Sequence, residues 1–275
     1  MIRRLFTLLL LICGVSSLVG QPNCNLYKSD STCYLACLET EKAVERYSGS
    51  APFQEHLLEA ITLCPTFHHA YFELSVNYAK RGLLHDWKNL IDKAVEISPV
   101  DHLGWRGWYH WFFANNYERA IADIDQLDGL VAYDLGTTGD GLYHLNILKA
   151  LCYKGLGNTQ KALSLIQACM NSEEYYQGSY DYLHLGVLLL EAGETEKALE
   201  TLAAQNSFNE ISEAYFYSSK AYLLLGEKTK AVDLLDTALQ AYDKGMAMHD
   251  PYRQLPDEIY RSTIEKELEM LISKE

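Results

Sequence analysis

Three segments of the chain share one spacing, and that spacing restricts the fold more than any other feature. They are Tyr153-Lys-Gly-Leu-Gly157-Asn-Thr-Gln-Lys-Ala162-Leu, Leu189-Leu-Glu-Ala-Gly193-Glu-Thr-Glu-Lys-Ala198-Leu and Tyr222-Leu-Leu-Leu-Gly226-Glu-Lys-Thr-Lys-Ala231-Val. In each, a large residue is followed by Gly four places on and by Ala five places after that. Each Gly closes one apolar-periodic stretch and precedes another, the place where a left-handed C-cap ends a helix. A chain that repeats helix, break, helix buries its apolar faces only by stacking neighbouring units.

The spacing resembles the tetratricopeptide repeat, a helix-turn-helix unit of about 34 residues. In that family the first helix carries large residues at positions 4, 7 and 11 and a small one at 8. The second carries small residues at 20 and 27, a large one at 24, and often Pro at 32. Small residues at 8 and 20 let the two helices approach closely while the large ones fill the seam. The pattern places Tyr215, Ser219, Tyr222, Ala231, Leu235 and Ala238 in a unit from Ser212. A unit from Ser179 takes Tyr182, Leu185, Gly186, Leu189, Ala198 and Leu202, and departs at Gln205. A unit from Tyr143 takes Ala150, Tyr153, Ala162, Ile166 and Cys169, and departs at Asn146 and Lys149. Upstream, a unit from His68 places Tyr71, Leu74, Ser75, Tyr78, Gly82, Ile91, Ala94 and Pro99, with Trp87 at position 20. A unit from Asp101 places Trp111, Ala120, Ile124 and Leu127. There Trp108 stands at position 8, so this pair of helices is expected to pack more widely or with a rotated register. A degenerate first unit from Tyr34 keeps Ala60 and Pro65 but has Glu41 and Phe53 where small residues belong.

The resemblance implies an all-α fold, an α-α superhelical solenoid of five to six helix-turn-helix units over residues 34–245, with units starting near 34, 68, 101, 143, 179 and 212. Residues 21–33 form an N-terminal segment, the glycine-rich stretch about 128–142 an inserted loop, and 246–275 a linker and capping helix. That last helix is expected from Asp257 to about Ser273, with Ile259, Ile264, Leu268 and Leu271 on its apolar side.

The first twenty residues read as a secretory leader. Arg3 and Arg4 precede the apolar run Leu5–Ile12, and the small residues Gly14, Ser16, Ser17 and Gly20 follow. Cleavage after Gly20 is expected, and the protein is expected in the periplasm, on the envelope or outside the cell. Removing Arg3 and Arg4 takes the formal charge from −14 to −16. An acidic chain without basic clusters argues against nucleic acid as a partner, and no later segment is apolar enough to span a membrane.

Six of the seven cysteines follow the leader: Cys24, Cys33, Cys37, Cys64, Cys152 and Cys169. An oxidising compartment permits disulfides. Cys64 is expected to pair with Cys33 or Cys37, the alternative for all three being small buried hydrophobes. Cys152 and Cys169 are expected to be buried thiols. No second cysteine pair stands at the spacing a zinc site requires.

Catalytic signatures are absent: there is no G-x-S-x-G, H-E-x-x-H or Walker-type G-K-[ST]. Gly136–Gly141 lacks the lysine of a phosphate loop. His68, His69 and Glu73 share a helical turn but have no further ligand, so no metal and no cofactor are expected. Asp134 and Asp140, the carboxylates an enzymatic reading would use, sit on a loop without a supporting motif.

The expected function is therefore non-enzymatic binding of a protein or peptide. The family's two-carboxylate clamp is absent, because Phe72, Val76, Trp105 and Tyr109 occupy its positions. By the repeat register, the concave groove is lined by His69, Phe72, His102, Trp105, Tyr109, Phe112, Phe113, His144 and Ile147, with Trp105, Tyr109 and Phe112 on one helical stripe. Two readings of the aromatic helix 105–113 stay open: an exposed hot-spot stripe, or rings that are core. In the second case the protein is a structural accessory subunit without a ligand groove.

Overall fold

The computed structural model describes residues 22–273; the expected leader, residues 1–20, lies outside them. Among the described residues there are thirteen α-helices, and the sole extended pairing is an isolated antiparallel bridge between Thr137 and His144. The fold class is an all-α solenoid of helical hairpins. The chain divides into two compact units, the first ending at Ala70 and the second beginning at Tyr71.

The first unit contains a 3-10 turn (Cys24–Tyr27), α1 (Ser31–Val44) and α2 (Ala51–Leu63). Asp30 caps α1 by accepting from the Thr32 and Cys33 amides, and Ser50 caps α2 by accepting from Phe53. Both caps satisfy amides that a helix start leaves open. The hairpin core is small: Ala36, Ala43, Leu57, Ala60 and Phe67 are fully buried. Covalent bonds supplement it. Cys33 is bonded to Cys64 and Cys24 to Cys37, with Cα atoms 5.0 and 5.5 Å apart. The second bond takes Cys37, which therefore does not pair with Cys64. Closing loops of this size stabilises by about 3 kcal/mol each in the chain-entropy view.

The second unit begins within α3 (His68–Lys80) and continues through α4 (Leu84–Ile97), α5 (Pro99–Phe112), α6 (Tyr117–Asp128), α7 (Leu145–Gly155), α8 (Thr159–Met170), α9 (Asp181–Glu191), α10 (Thr195–Phe208), α11 (Ser212–Leu224), α12 (Lys228–Asp243) and α13 (Arg261–Ile272). Helices α5/α6, α7/α8, α9/α10 and α11/α12 form hairpins, and α13 packs on α12. The small residues of the repeat sit at the crossings. Ala162, Ala198 and Ala231 are fully buried. A Cβ on Gly186 would come within 2.7 Å of Leu202. Gly157, Gly193 and Gly226 have φ of 76°, 81° and 78°, the left-handed region that ends each first helix.

Two details differ from the sequence reading. In α5 the residue against α6 is Gly107, whose Cβ would stand 3.2 Å from Asp123 and 3.3 Å from the Ala120 carbonyl. The helix is thus rotated by one residue relative to the expected register, and Trp108 is turned away from α6. Arg106 fixes this rotation: it donates to both carboxylate oxygens of Asp123 at 2.6 and 2.9 Å, and to Asp92 of α4 at 2.9 Å. The last helix starts at Arg261, not Asp257. Asp257 has φ of 63°, incompatible with a right-handed helix, and belongs to the preceding segment.

Candidate interaction face

In the second unit the first helices of successive hairpins, α5, α7, α9 and α11, pack side by side and form one face, here termed the inner face. It is where the repeat register points the candidate groove residues. Their placement corrects the expectation of an open aromatic stripe. His102, Tyr109 and Phe112 are 3%, 2% and 5% exposed, Phe72 and His144 are buried, and Ile147 is wholly within the core. Trp105 and Phe113 are half-buried, and so is His69, which lies in the first unit beside Phe67. Phe72 stacks on His102 at 5.1 Å and meets Trp105 edge-on at 4.9 Å, while Trp108 and Tyr109 lie 4.9 Å apart. Burial pushes the Tyr109 phenol far above its ordinary pKa.

Two segments outside the repeats bury these rings. The first is the inserted loop. Its Thr138 amide donates to the Tyr143 carbonyl at 2.8 Å and the Leu145 amide to Gly136 at 2.9 Å, closing a tight hairpin. Gly139 at its tip lies flat on the indoles: a Cβ there would stand 2.0 Å from Trp105 and 2.7 Å from Trp108. Only glycine permits so close an approach.

The second is residues 246–260, the expected linker. It leaves α12, crosses the inner face and returns to α13. At α11 the Ser212 amide donates to the Met246 carbonyl, and the Met248 amide donates to Glu213 Oε1 at 3.1 Å. At α5 the Arg253 guanidinium lies 4.3 Å above the Trp111 ring and donates to the Trp111 carbonyl at 2.6 Å and the Phe112 carbonyl at 3.3 Å. These carbonyls end α5, where the helix dipole favours a cation. Tyr252 covers Phe112 and Phe113. Further on, Asp257 accepts from Lys154 of α7 at 2.5 Å and from His184 Nδ1 of α9 at 2.7 Å. Burial alone would raise the Asp257 pKa, but the His184 hydrogen bond and the Lys154 charge outweigh it and hold the carboxyl below its ordinary value. Met248, Leu255 and Ile259 are buried, so the strap is packed as well as bonded. A cleft of about 310 Å³ remains beside it, between Trp111, Tyr117, Leu151 and Lys154 on one side and residues 253–257 on the other.

One further cluster has the outline of a nucleophile site. Asp134 accepts from His144 Nε2 at 2.7 Å, and Cys169 Sγ lies 3.3 Å from His144 Nδ1. Its chemistry points elsewhere. Burial raises the Cys169 thiol to about 12, with Asp181 and Asp134 adding to the rise, so the thiolate is strongly disfavoured. His144 Nδ1 also accepts the Asn146 amide as the N-cap of α7. The cluster ties the inserted loop to α7 and α8. Asp134 and Asp140 serve that loop too, accepting from the Gly136 and Leu142 amides. Cys152 is a second buried thiol. No helix of the described residues is long and apolar enough to cross a membrane.

Hairpins of paired antiparallel helices, small residues at their crossings and a face built from the first helix of each define a helical-repeat fold. Residues 213–244 match the family model of the tetratricopeptide repeat, and the described helices have the fold of a tetratricopeptide-repeat solenoid. No curated protein matches the sequence. Among solved structures the chain is similar in fold to PilW, described as a widely conserved type IV pilus biogenesis factor, with 16% identity, 76% of this chain and 94% of that one covered, and a TM-score of 0.60. It is also similar to PilF of Pseudomonas aeruginosa, with 12% identity, 78% and 91% covered, and a TM-score of 0.57. The third is YrrB, described as a tetratricopeptide-repeat protein with an unusual peptide-binding site, with 18% identity, 70% and 95% covered, and a TM-score of 0.54.

Proposed function

We propose that this protein is an exported, non-enzymatic scaffold whose inner face, α5 to α11, holds an extended segment of a partner protein. One observation carries the reading: the face already holds a polypeptide. Residues 246–260 are bound there by side-chain contacts to four successive first helices rather than by continuing the repeat. The two disulfides of the first unit fit an oxidising compartment, as does the leader pattern of residues 1–20. The fold likeness to a pilus biogenesis factor and to a protein with a peptide-binding site accords with a role in envelope assembly.

A second reading is favoured by the burial of Tyr109 and Phe112. In it the strap is permanent, and the protein is an accessory subunit that uses its outer faces. The two separate by experiment. Wild type and the Arg253→Ala/Asp257→Ala double variant serve as baits against envelope extract, and captured proteins are mapped by cross-linking and mass spectrometry. Cross-links to α5, α7 and α9, stronger with the double variant, are the expected result. Cross-links confined to α4, α6 and α8, equal for both baits, would establish the accessory reading instead.

A further inference from the structure

The strap also describes its receptor. Two of its side chains have their own charged or π-rich seats, and the seats have opposite polarity. The first is cation-selective: the Trp111 ring face and two carbonyls at the C-terminal end of α5, all meeting at the Arg253 guanidinium. A cation on an indole, sheltered from water, is attracted by the ring quadrupole, and carbonyls at a helix end add their partial negative charge. The second is carboxylate-selective: Lys154 Nζ and His184 Nδ1, both with largely buried side chains, converge on the oxygens of Asp257. Between them Leu255 is 3% exposed, so the intervening position is apolar. Gln254 is exposed and makes no use of the face. A cleft of about 310 Å³ runs beside this stretch.

We propose that α5, α7 and α9 form a receptor for an Arg-x-Leu-x-Asp polypeptide segment, that residues 253–257 occupy it within the chain, and that a partner segment of this chemistry replaces them. The proposal rests on the inner face being a peptide-binding surface and adds the identity of what binds. The strap suits exchange. Residues 253–257 are joined to α12 through Gly245, whose φ of 78° marks the end of that helix, and to α13 through Ile259, which is packed beside Ile264, so an exchanging segment stays tethered at both ends.

The probe is a synthetic peptide of residues 249–260, with versions carrying Ala for the Arg, Ala for the Asp, or the two exchanged. Binding to the full chain is read by fluorescence anisotropy, with wild type and the Arg253→Ala/Asp257→Ala double variant compared. The native peptide is expected to bind the double variant at least about tenfold more tightly than wild type, because the internal competitor has lost its two polar anchors. Each Ala peptide should bind about tenfold more weakly or worse, and the exchanged peptide not at all. Lys154→Ala should erase the difference between the native peptide and the one lacking Asp, and leave the Arg preference intact. Equal binding of the native and exchanged peptides would overturn the proposal. Should the double variant lose its thermal transition, wild type alone decides: excess native peptide must accelerate amide exchange in residues 246–260, and unchanged exchange there refutes the idea. Failure of the two readings is distinguishable. A partner cross-linked to the inner face without Arg and Asp selectivity defeats the receptor chemistry alone. Selective peptide binding with no inner-face partner defeats the scaffold reading alone.

Discussion

The hairpins α11/α12 and α5/α6 are built on the same repeat and end in different states. In α11/α12 the small residues of the pattern do what the pattern implies. Ser219 is fully buried, its hydroxyl bonded to the Phe216 carbonyl, and Ala231, Leu235 and Ala238 are fully buried opposite it. No ring is left over at this crossing, and α13 and Ile259 of the strap complete the core around Phe216. In α5/α6 the close approach moves to Gly107, the surplus rings Trp105 and Trp108 lie against Gly139 of the inserted loop, and Trp111 and Phe112 seat Arg253 of the strap. Those rings are covered by the inserted loop and by the strap. The difference teaches that repeat positions specify which helices pair, while aromatic residues in excess of the repeat mark where a third segment lies down.

The largest test of that contrast is Trp111→Ala. The ring is fully buried, touches Tyr143 at 5.7 Å and seats Arg253. Its removal should cost about 3–5 kcal/mol through lost burial and a cavity, lowering the melting temperature by about 10 °C. Amide exchange in residues 250–257 should rise in the same variant. A large loss of stability with unchanged exchange there would mean that α5 does not anchor the strap.

Ala231→Leu probes the regular hairpin. Ala231 is fully buried, so a branched side chain there should overpack at a cost of about 1–3 kcal/mol. Exchange in residues 250–257 should stay as in wild type, because the anchors of that stretch, Arg253 and Asp257, sit on α5, α7 and α9. An unchanged melting temperature would contradict the register that places Ala231 at the helix contact.

The hairpins were legible because glycine caps and alanine crossings are local, periodic requirements. The aromatic helix was legible only as an ambiguity. Periodicity states that residues 105, 109 and 112 share a stripe, but what covers a stripe is a long-range matter. The strap is illegible for the same reason: residues 246–260 have no period and read as a linker. A signal was present. The register that aimed Phe112 and Phe113 at the inner face also aims Lys154 and Glu213 there, at positions 12 and 2 of their units. Both are polar groups on a face about to be buried, and each takes a bond from or to the strap. A largely buried Lys and a buried Glu on first helices of one face require partners, and the aperiodic segment is the one left to provide them. The sequence assigns Cys24 no partner, because connectivity among several cysteines is not fixed by spacing.

The smallest effect compares the two ends of the strap, which are held by carboxyl groups that titrate in opposite senses. Asp257 is held below its ordinary pKa, so its contribution is present above the unfolded value of about 3.9 and is lost as pH falls through the lower folded one. Glu213 is the reverse. Burial raises it to about 7, against the pull of the Met248 and Ile259 amides. A raised carboxyl binds its proton more tightly in the folded protein. Its contribution is complete below the unfolded value of about 4.3 and drains away as pH rises through 7. Glu73, also raised to about 7 by burial, acts in the same direction. Stability should therefore peak near pH 5 and decline towards pH 8. Glu213→Gln keeps an oxygen to accept from Met248 and has no proton to lose. The variant should match wild type near pH 5 and melt about 3 °C higher than it at pH 8, retaining the part of the decline that belongs to Glu73. Melting curves at the two pH values check this. An equal decline in wild type and variant would show that Glu213 is not the group that titrates beneath the strap.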